Sequence, residues 1–85
     1  MPYISEKERE NYEELEDQID LIVIHTKGDL EYLIFKLMKQ YMNTRDYTYT
    51  ELHNCVYASM HCADEFRRRF LDKREDEARE KNGDV

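Results

Sequence analysis

The stretch "LEYLIFKLMKQYM", residues 30–42, decides the fold. Leu30, Leu33, Ile34, Leu37, Met38 and Tyr41 recur at three and four residues and form one helical stripe. Tyr32, Phe35 and Met42 lie largely off it. A helix with large apolar side chains on two faces needs two surfaces to bury them, and a small chain has few to offer.

The chain has 85 residues, enough for one domain with a modest core. It is 40% hydrophobic and 12% aromatic, with seven tyrosines, which is too apolar for a charged disordered tail. Two glycines and one proline allow few turns, so the sequence reads as long helices. Ser5-Glu6-Lys7-Glu8 has the pattern of a capping box, followed by acids suited to a helix N-terminus. Tyr12, Leu15, Ile19 and Ile22 continue as a single stripe. This reading carries the first helix through "LIVI" (21–24) to about Thr26, with Gly28 as its left-handed stop.

The second helix then runs from Gly28 or Asp29 to Met42, and "NTRDYTYT" (43–50) forms an ordered connection. Thr48-Tyr49-Thr50-Glu51 offers another capping box, opening a long third helix over 49–81. Its stripe is Leu52, Cys55, Val56, Ser59, Ala63, Phe66 and Phe70. Past Leu71 it is held by i,i+4 pairs such as Glu75–Arg79 and Glu77–Lys81, and residues 82–85 fray. The expected fold is all-α, a single domain: an acidic first helix (1–27), a second (28–42) and a long third (49–81). A hairpin or three-helix protomer of this kind leaves Tyr32, Phe35 and Met42 as an exposed patch. Burying one such side chain is worth roughly 1.5–3 kcal/mol, so homo-oligomerisation into a helical bundle is expected. The alternative is that the acidic first helix folds back over this face.

Charge narrows the function classes. The net charge is −7, and residues 1–20 carry eight acids against two bases. Acidity of this kind argues against a general nucleic-acid or membrane-surface binder. No apolar run reaches the ~20 residues of a membrane span, and the acidic start does not read as a secretory signal. Cys55 and Cys62 sit seven apart, about 10 Å on one helix, too far for an internal disulfide. A reduced cytoplasmic setting fits, with both cysteines as small core residues.

No constellation matches a catalytic design. His53, Tyr57, His61 and Glu65 share a helical face, but only His61 and Glu65 are spaced as a ligand pair, short of what zinc requires. Cys62 follows His61 directly, and adjacent helical residues diverge by about 100°, so they do not form a nucleophile–base pair. No phosphate loop or hydrolase elbow occurs, and no cofactor is implied. The sequence reads as a non-enzyme.

"FRRRF" (66–70) fans three arginines around a helix rather than gathering them into a patch. Asp64–Arg68 and Glu65–Arg69 are spaced as ion pairs, leaving Arg67 without one upstream. Tyr32 with Lys36 and Phe35 with Lys39 on the second helix combine flat stacking faces with phosphate partners, and Tyr57 faces outward from the stripe of the third. Tyr32, Lys36, Lys39, Tyr57, Arg67 and Arg68 are therefore the candidate ligand contacts, at a subunit interface where copies converge.

"MPYISEKER" (1–9), "GDLEYLIFKLMKQYM" (28–42), "CADEFRRRF" (62–70) and the closing "NGDV" resemble a group of short proteins encoded by bacteriophages and prophages. Those proteins open Met-Pro-Tyr-Ile and end Asn-Gly-Asp-Val. "LDKREDEARE" (71–80) departs from that pattern, and no binding residues are carried over from the group. The resemblance implies a small protein working by binding inside an infected bacterial cytoplasm. It could sequester a nucleotide-derived defence signal, such as a cyclic nucleotide or a cyclic ADP-ribose. The competing readings are an acidic inhibitor of a host protein and a structural or assembly factor.

Overall fold

Helix initiation follows the side chains that cap it. In the computed structural model, which describes residues 2–85, the Ser5 hydroxyl accepts the Glu8 amide at 3.2 Å and starts α1 (Glu6–Arg9). A 3-10 turn over Glu10–Tyr12 joins it to α2 (Glu13–Leu21).

The first helix stops earlier than its apolar run suggests. Ile22 is extended (φ −98°, ψ 155°), and residues 22–25 are not helical. Three β-branched side chains in succession, Ile22, Val23 and Ile24, are weak helix formers. The competing start signal lies just beyond them. The Thr26 hydroxyl accepts the Asp29 amide at 3.0 Å, and Asp29 Oδ2 accepts the Thr26 amide at 3.3 Å. This reciprocal box opens α3 (Lys27–Met42), with Gly28 inside the helix. The expected left-handed stop at Gly28 is thus replaced by a cap from Thr26; among the described residues only Gly83 has a positive φ.

The second connection keeps half of the expected capping box, the Glu51 side chain being turned away to Tyr41. Thr48 Oγ1 accepts the Glu51 amide at 3.3 Å and opens α4 (Tyr49–Phe66). The chain continues without a break through a π-helical turn over Arg67–Leu71 into α5 (Asp72–Asn82). Gly83 (φ +87°) ends it, its amide donating to the Arg79 carbonyl at 2.8 Å. In α5 the ion pairs are i,i+3, Arg74–Glu77 at 3.7 Å and Asp76–Arg79 at 3.8 Å. These take the place of the expected Glu75–Arg79 and Glu77–Lys81 spacing. No strand forms among the described residues.

The tertiary structure is an antiparallel hairpin of α3 and α4. The Cys55 thiol donates to the Met38 carbonyl at 3.5 Å, and the Tyr41 hydroxyl to Glu51 at 3.3 Å nearer the turn. Met42 and Cys55, 4% and 7% exposed, are its buried residues. Met42 was expected on the uncovered face of its helix; α4 leaves the turn across that end and buries it. Cys62, expected in the core, is exposed. Neither α1 nor α2 packs along α3 or α4, so the acidic first helix does not cover the second face.

The result is an open molecule. Its radius of gyration is 16.6 Å, where a compact domain of this length has about 12 Å. It exposes 8260 Å² of surface, against roughly 5,400 Å² for a compact monomer of equal mass.

Candidate functional site

Helix α3 answers the question its sequence poses. Phe35 and Leu37, two residues apart, project about 160° from one another. They are 64% and 59% exposed, so neither side of the helix is covered by its own chain. Met38, Tyr41 and Met42 form the seam with α4 between these two open faces.

The candidate ligand contacts distribute along the hairpin. Tyr32 is exposed beside Lys36 and Lys39 on α3. The register that sets Cys55 against Met38 brings Tyr57 level with Lys36 on the neighbouring helix. Arg67 and Arg68 belong to the π-turn, about 15 Å further along the axis from Tyr57. A single copy therefore does not gather the six side chains into one pocket.

The arginines have separate partners. Arg68 donates to Glu65 Oε1 through Nε at 3.0 Å and also through Nη2. This pair replaces the expected Asp64–Arg68 spacing. Arg69 leaves Glu65 and donates through Nη1 to the Tyr3 hydroxyl at 3.1 Å. Tyr3 in turn donates to Glu65 Oε1 at 3.3 Å. The Arg68 guanidinium, foremost by hydrogen bonding and then by its charge, holds the Glu65 carboxyl below its usual range; Tyr3 and Arg69 add to this and desolvation opposes it. Arg67 makes no ion pair among the described residues, which leaves it the least committed of the three.

Two features were not anticipated. One is the docking of the N-terminal segment: Pro2 and Tyr3 meet Cys62, Glu65, Phe66, Arg69 and Phe70 in a shallow cleft at the π-turn. The partners are over sixty residues apart, so no local signal could give the contact. The other is a ladder of rings along α4, in which His53 lies 5.8 Å from both Tyr49 and Tyr57. That ladder is visible in the four-residue spacing of 49, 53 and 57, once Tyr49 is taken as helical rather than as loop.

No cluster of three His, Cys, Asp or Glu side chains among the described residues is arranged to hold a metal. No helix among them is long and apolar enough to cross a membrane. These features define a class: an all-α chain built as an open hairpin, with an acidic N-terminal arm tied to it by Tyr3. The chain belongs to the family described as a domain of unknown function, DUF6899, which it matches over residues 1–85. No curated protein and no solved structure matches it.

Proposed function

We propose that this protein is a non-enzymatic, homo-oligomeric binding protein that sequesters a nucleotide-derived signal between subunits. The observation that carries the reading is the double exposure of α3, with Phe35 and Leu37 uncovered on opposite sides. The surface in excess of a compact monomer is about 2,900 Å², on the scale that obligate homo-oligomers bury. Closing a second copy onto this helix would supply walls that one chain lacks.

Tyr32, Lys36, Lys39 and Tyr57 would then offer stacking faces and phosphate partners from one subunit. Arg67 and Arg68, too distant in the same chain, would enter from another. A cyclic dinucleotide or a cyclic ADP-ribose, flat and anionic, suits that combination. The phage-like ends of the chain favour a setting in the cytoplasm of an infected bacterium, where trapping such a signal would blunt a defence response.

Calorimetry with a panel of cyclic dinucleotides and cyclic ADP-ribose isomers tests the reading. Saturable heat, at a stoichiometry below one ligand per chain, is the expected result; absence of heat across the panel overturns it.

A second reading is favoured by a different observation. Helix α2 carries Glu13, Glu14, Glu16, Asp17 and Asp20, no base, and packs on no other helix of its chain. An acidic helix free along its length could dock on a basic surface of a host protein and inhibit it. A salt-sensitive stoichiometric partner, recovered from bacterial lysate and lost on neutralising those acids, would support this reading. Retention of the partner by the neutralised protein would exclude it.

A further inference from the structure

The two apolar stripes left open in the chain fit one another, but not within one molecule. On the N-terminal arm, Tyr12, Leu15, Ile19 and Ile22 recur at three, four and three residues and are about half exposed; Leu15 and Ile19 lie on α2, with Tyr12 and Ile22 flanking its two ends. On α3, Leu30, Ile34 and Leu37 recur at four and three and are exposed. Both are the alternating three–four spacing with which helices interlock knobs into holes. Helix α2, nine residues and about 13 Å long, spans the roughly 11 Å from Leu30 to Leu37. The arm is tied at both ends, by Tyr3 to α4 and by the non-helical residues 22–25 to α3. Between those ties α2 lies along no helix of its own chain.

Charge selects among the possible pairings. Helix α2 has five acids and no base, so two copies of α2 repel each other. Helix α4 carries Glu51, Asp64 and Glu65 with no lysine or arginine before the π-turn, where Arg68 and Arg69 are already engaged by Glu65 and Tyr3. Helix α3, with Lys27, Lys36 and Lys39 against Asp29 and Glu31, is net positive. It is the helix on which an acidic stripe can settle.

We infer that the stripe of α2 packs on the Leu30–Ile34–Leu37 face of α3 in a second copy, reciprocally, so that two copies clasp through two equivalent seams. The arrangement is isologous, as closed dimers require. It covers the leucine face of α3 and leaves the opposite Tyr32–Phe35 face outside this seam. The inference rests on the homo-oligomeric reading above and specifies how the copies meet.

The test uses the full chain with Cys62→Ser, leaving the buried Cys55 in place. One variant adds Ile19→Cys and another Ile34→Cys, and the two are refolded together in equimolar amounts and oxidised. The expected result is a disulfide-linked species of twice 10.4 kDa, several-fold more abundant in the mixture than in either variant alone. Light scattering on the unsubstituted protein supplies the second arm. A multimeric mass without the mixed cross-link overturns the clasp but leaves the oligomeric reading standing. Equal cross-linking in the single-variant samples also overturns the clasp, because like helices would then be meeting. A monomeric mass at submillimolar concentration overturns both. Circular dichroism equal to that of the parent establishes that each variant is folded, which is expected because both isoleucines are exposed.

Discussion

The Tyr41 hydroxyl donates to Glu51 Oε2 at 3.3 Å, joining the last turn of α3 to the first turn of α4. Arg45, from the connection, lies over the Tyr41 ring at 3.7 Å and reaches the same carboxylate at 3.6 Å. Glu51 sits where a capping-box glutamate would fold back on its own helix. Here its side chain is turned across the hairpin, and Thr48 alone caps the helix through its hydroxyl. The contact fixes which residues of the two helices stand opposite each other, and so which side chains are left outside.

Removing the hydroxyl tests this link. Tyr41→Phe should destabilise the hairpin by about 1 kcal/mol, the usual net worth of a hydrogen bond. Thr48→Ala should lose a similar amount through the cap. In a denaturant-unfolding cycle Tyr41→Phe and Glu51→Gln should be non-additive, whereas Tyr41→Phe and Ser5→Ala should add.

Burial separates two kinds of apolar side chain on one helix. Met42→Ala removes a side chain enclosed by the hairpin and should cost about 2 kcal/mol or more. Leu37→Ser changes an exposed position and should leave the secondary structure intact while lowering the mass measured by light scattering. The midpoint of thermal unfolding should rise with protein concentration in the parent, and lose that dependence in Leu37→Ser.

Acid should release the N-terminal arm. The Glu65 carboxyl is held below its ordinary value of 4.5, chiefly by the hydrogen bond from Arg68, with Tyr3 and Arg69 contributing. A carboxyl with a lowered folded-state value contributes stability that is complete above the ordinary value and lost as pH falls through the lowered one. The Tyr3 ring resonances should therefore shift toward their random-coil positions below about pH 4.5. In Glu65→Gln they should be displaced already at neutral pH and change little on acidification. A Tyr3 signal unaltered by that substitution would remove Glu65 as its anchor.

Thiol chemistry distinguishes the cysteines. Cys62 is exposed and Cys55 is buried with its thiol on the Met38 carbonyl. An aromatic disulfide reagent should titrate one thiol per native chain quickly and the second only as the chain unfolds. Cys62→Ser should abolish the fast phase.

The local parts of this fold could be read in the sequence, and the contacts between distant parts could not. Ser5 and Thr48 cap their helices as their spacing to Glu8 and Glu51 indicates. The Thr26–Asp29 box was equally open to reading, but the apolar run "LIVI" drew the first helix past its true end. Periodicity records that residues are apolar, and it was outweighed by three β-branched side chains and a strong cap immediately downstream. The burial of Met42 depends on how α4 crosses α3, a matter of register rather than pattern. The π-turn at Arg67–Leu71 shifts the arginines from the spacing an unbroken helix would give. Glu65 pairs with Arg68 three residues on, and Arg69 turns to Tyr3, a contact that no local spacing records.

That arrangement bears on the proposed ligand site, because Arg67 and Arg68 would not be equivalent there. Arg68 is engaged by Glu65 through two nitrogens, so a phosphate recruiting it must compete with a carboxylate already in place. Arg67 has no such competitor among the described residues and would meet an anion at lower cost. With a cyclic dinucleotide as probe, Arg67→Ala should weaken binding by roughly 12- to 150-fold, the factor that corresponds to the 1.5–3 kcal/mol of a charged hydrogen bond. Tyr32→Ala and Lys39→Ala should each weaken it by a comparable factor, through lost stacking and lost charge. Glu65→Gln should act in the opposite direction, because it releases the Arg68 guanidinium and removes a negative charge from beside the anion. Calorimetric titration of these variants, with light scattering to establish that each keeps its mass, checks the ordering. Tighter binding by Glu65→Gln would assign Arg68 to the ligand, and unchanged binding in both Glu65→Gln and Arg68→Ala would restrict that arginine to anchoring the N-terminal arm.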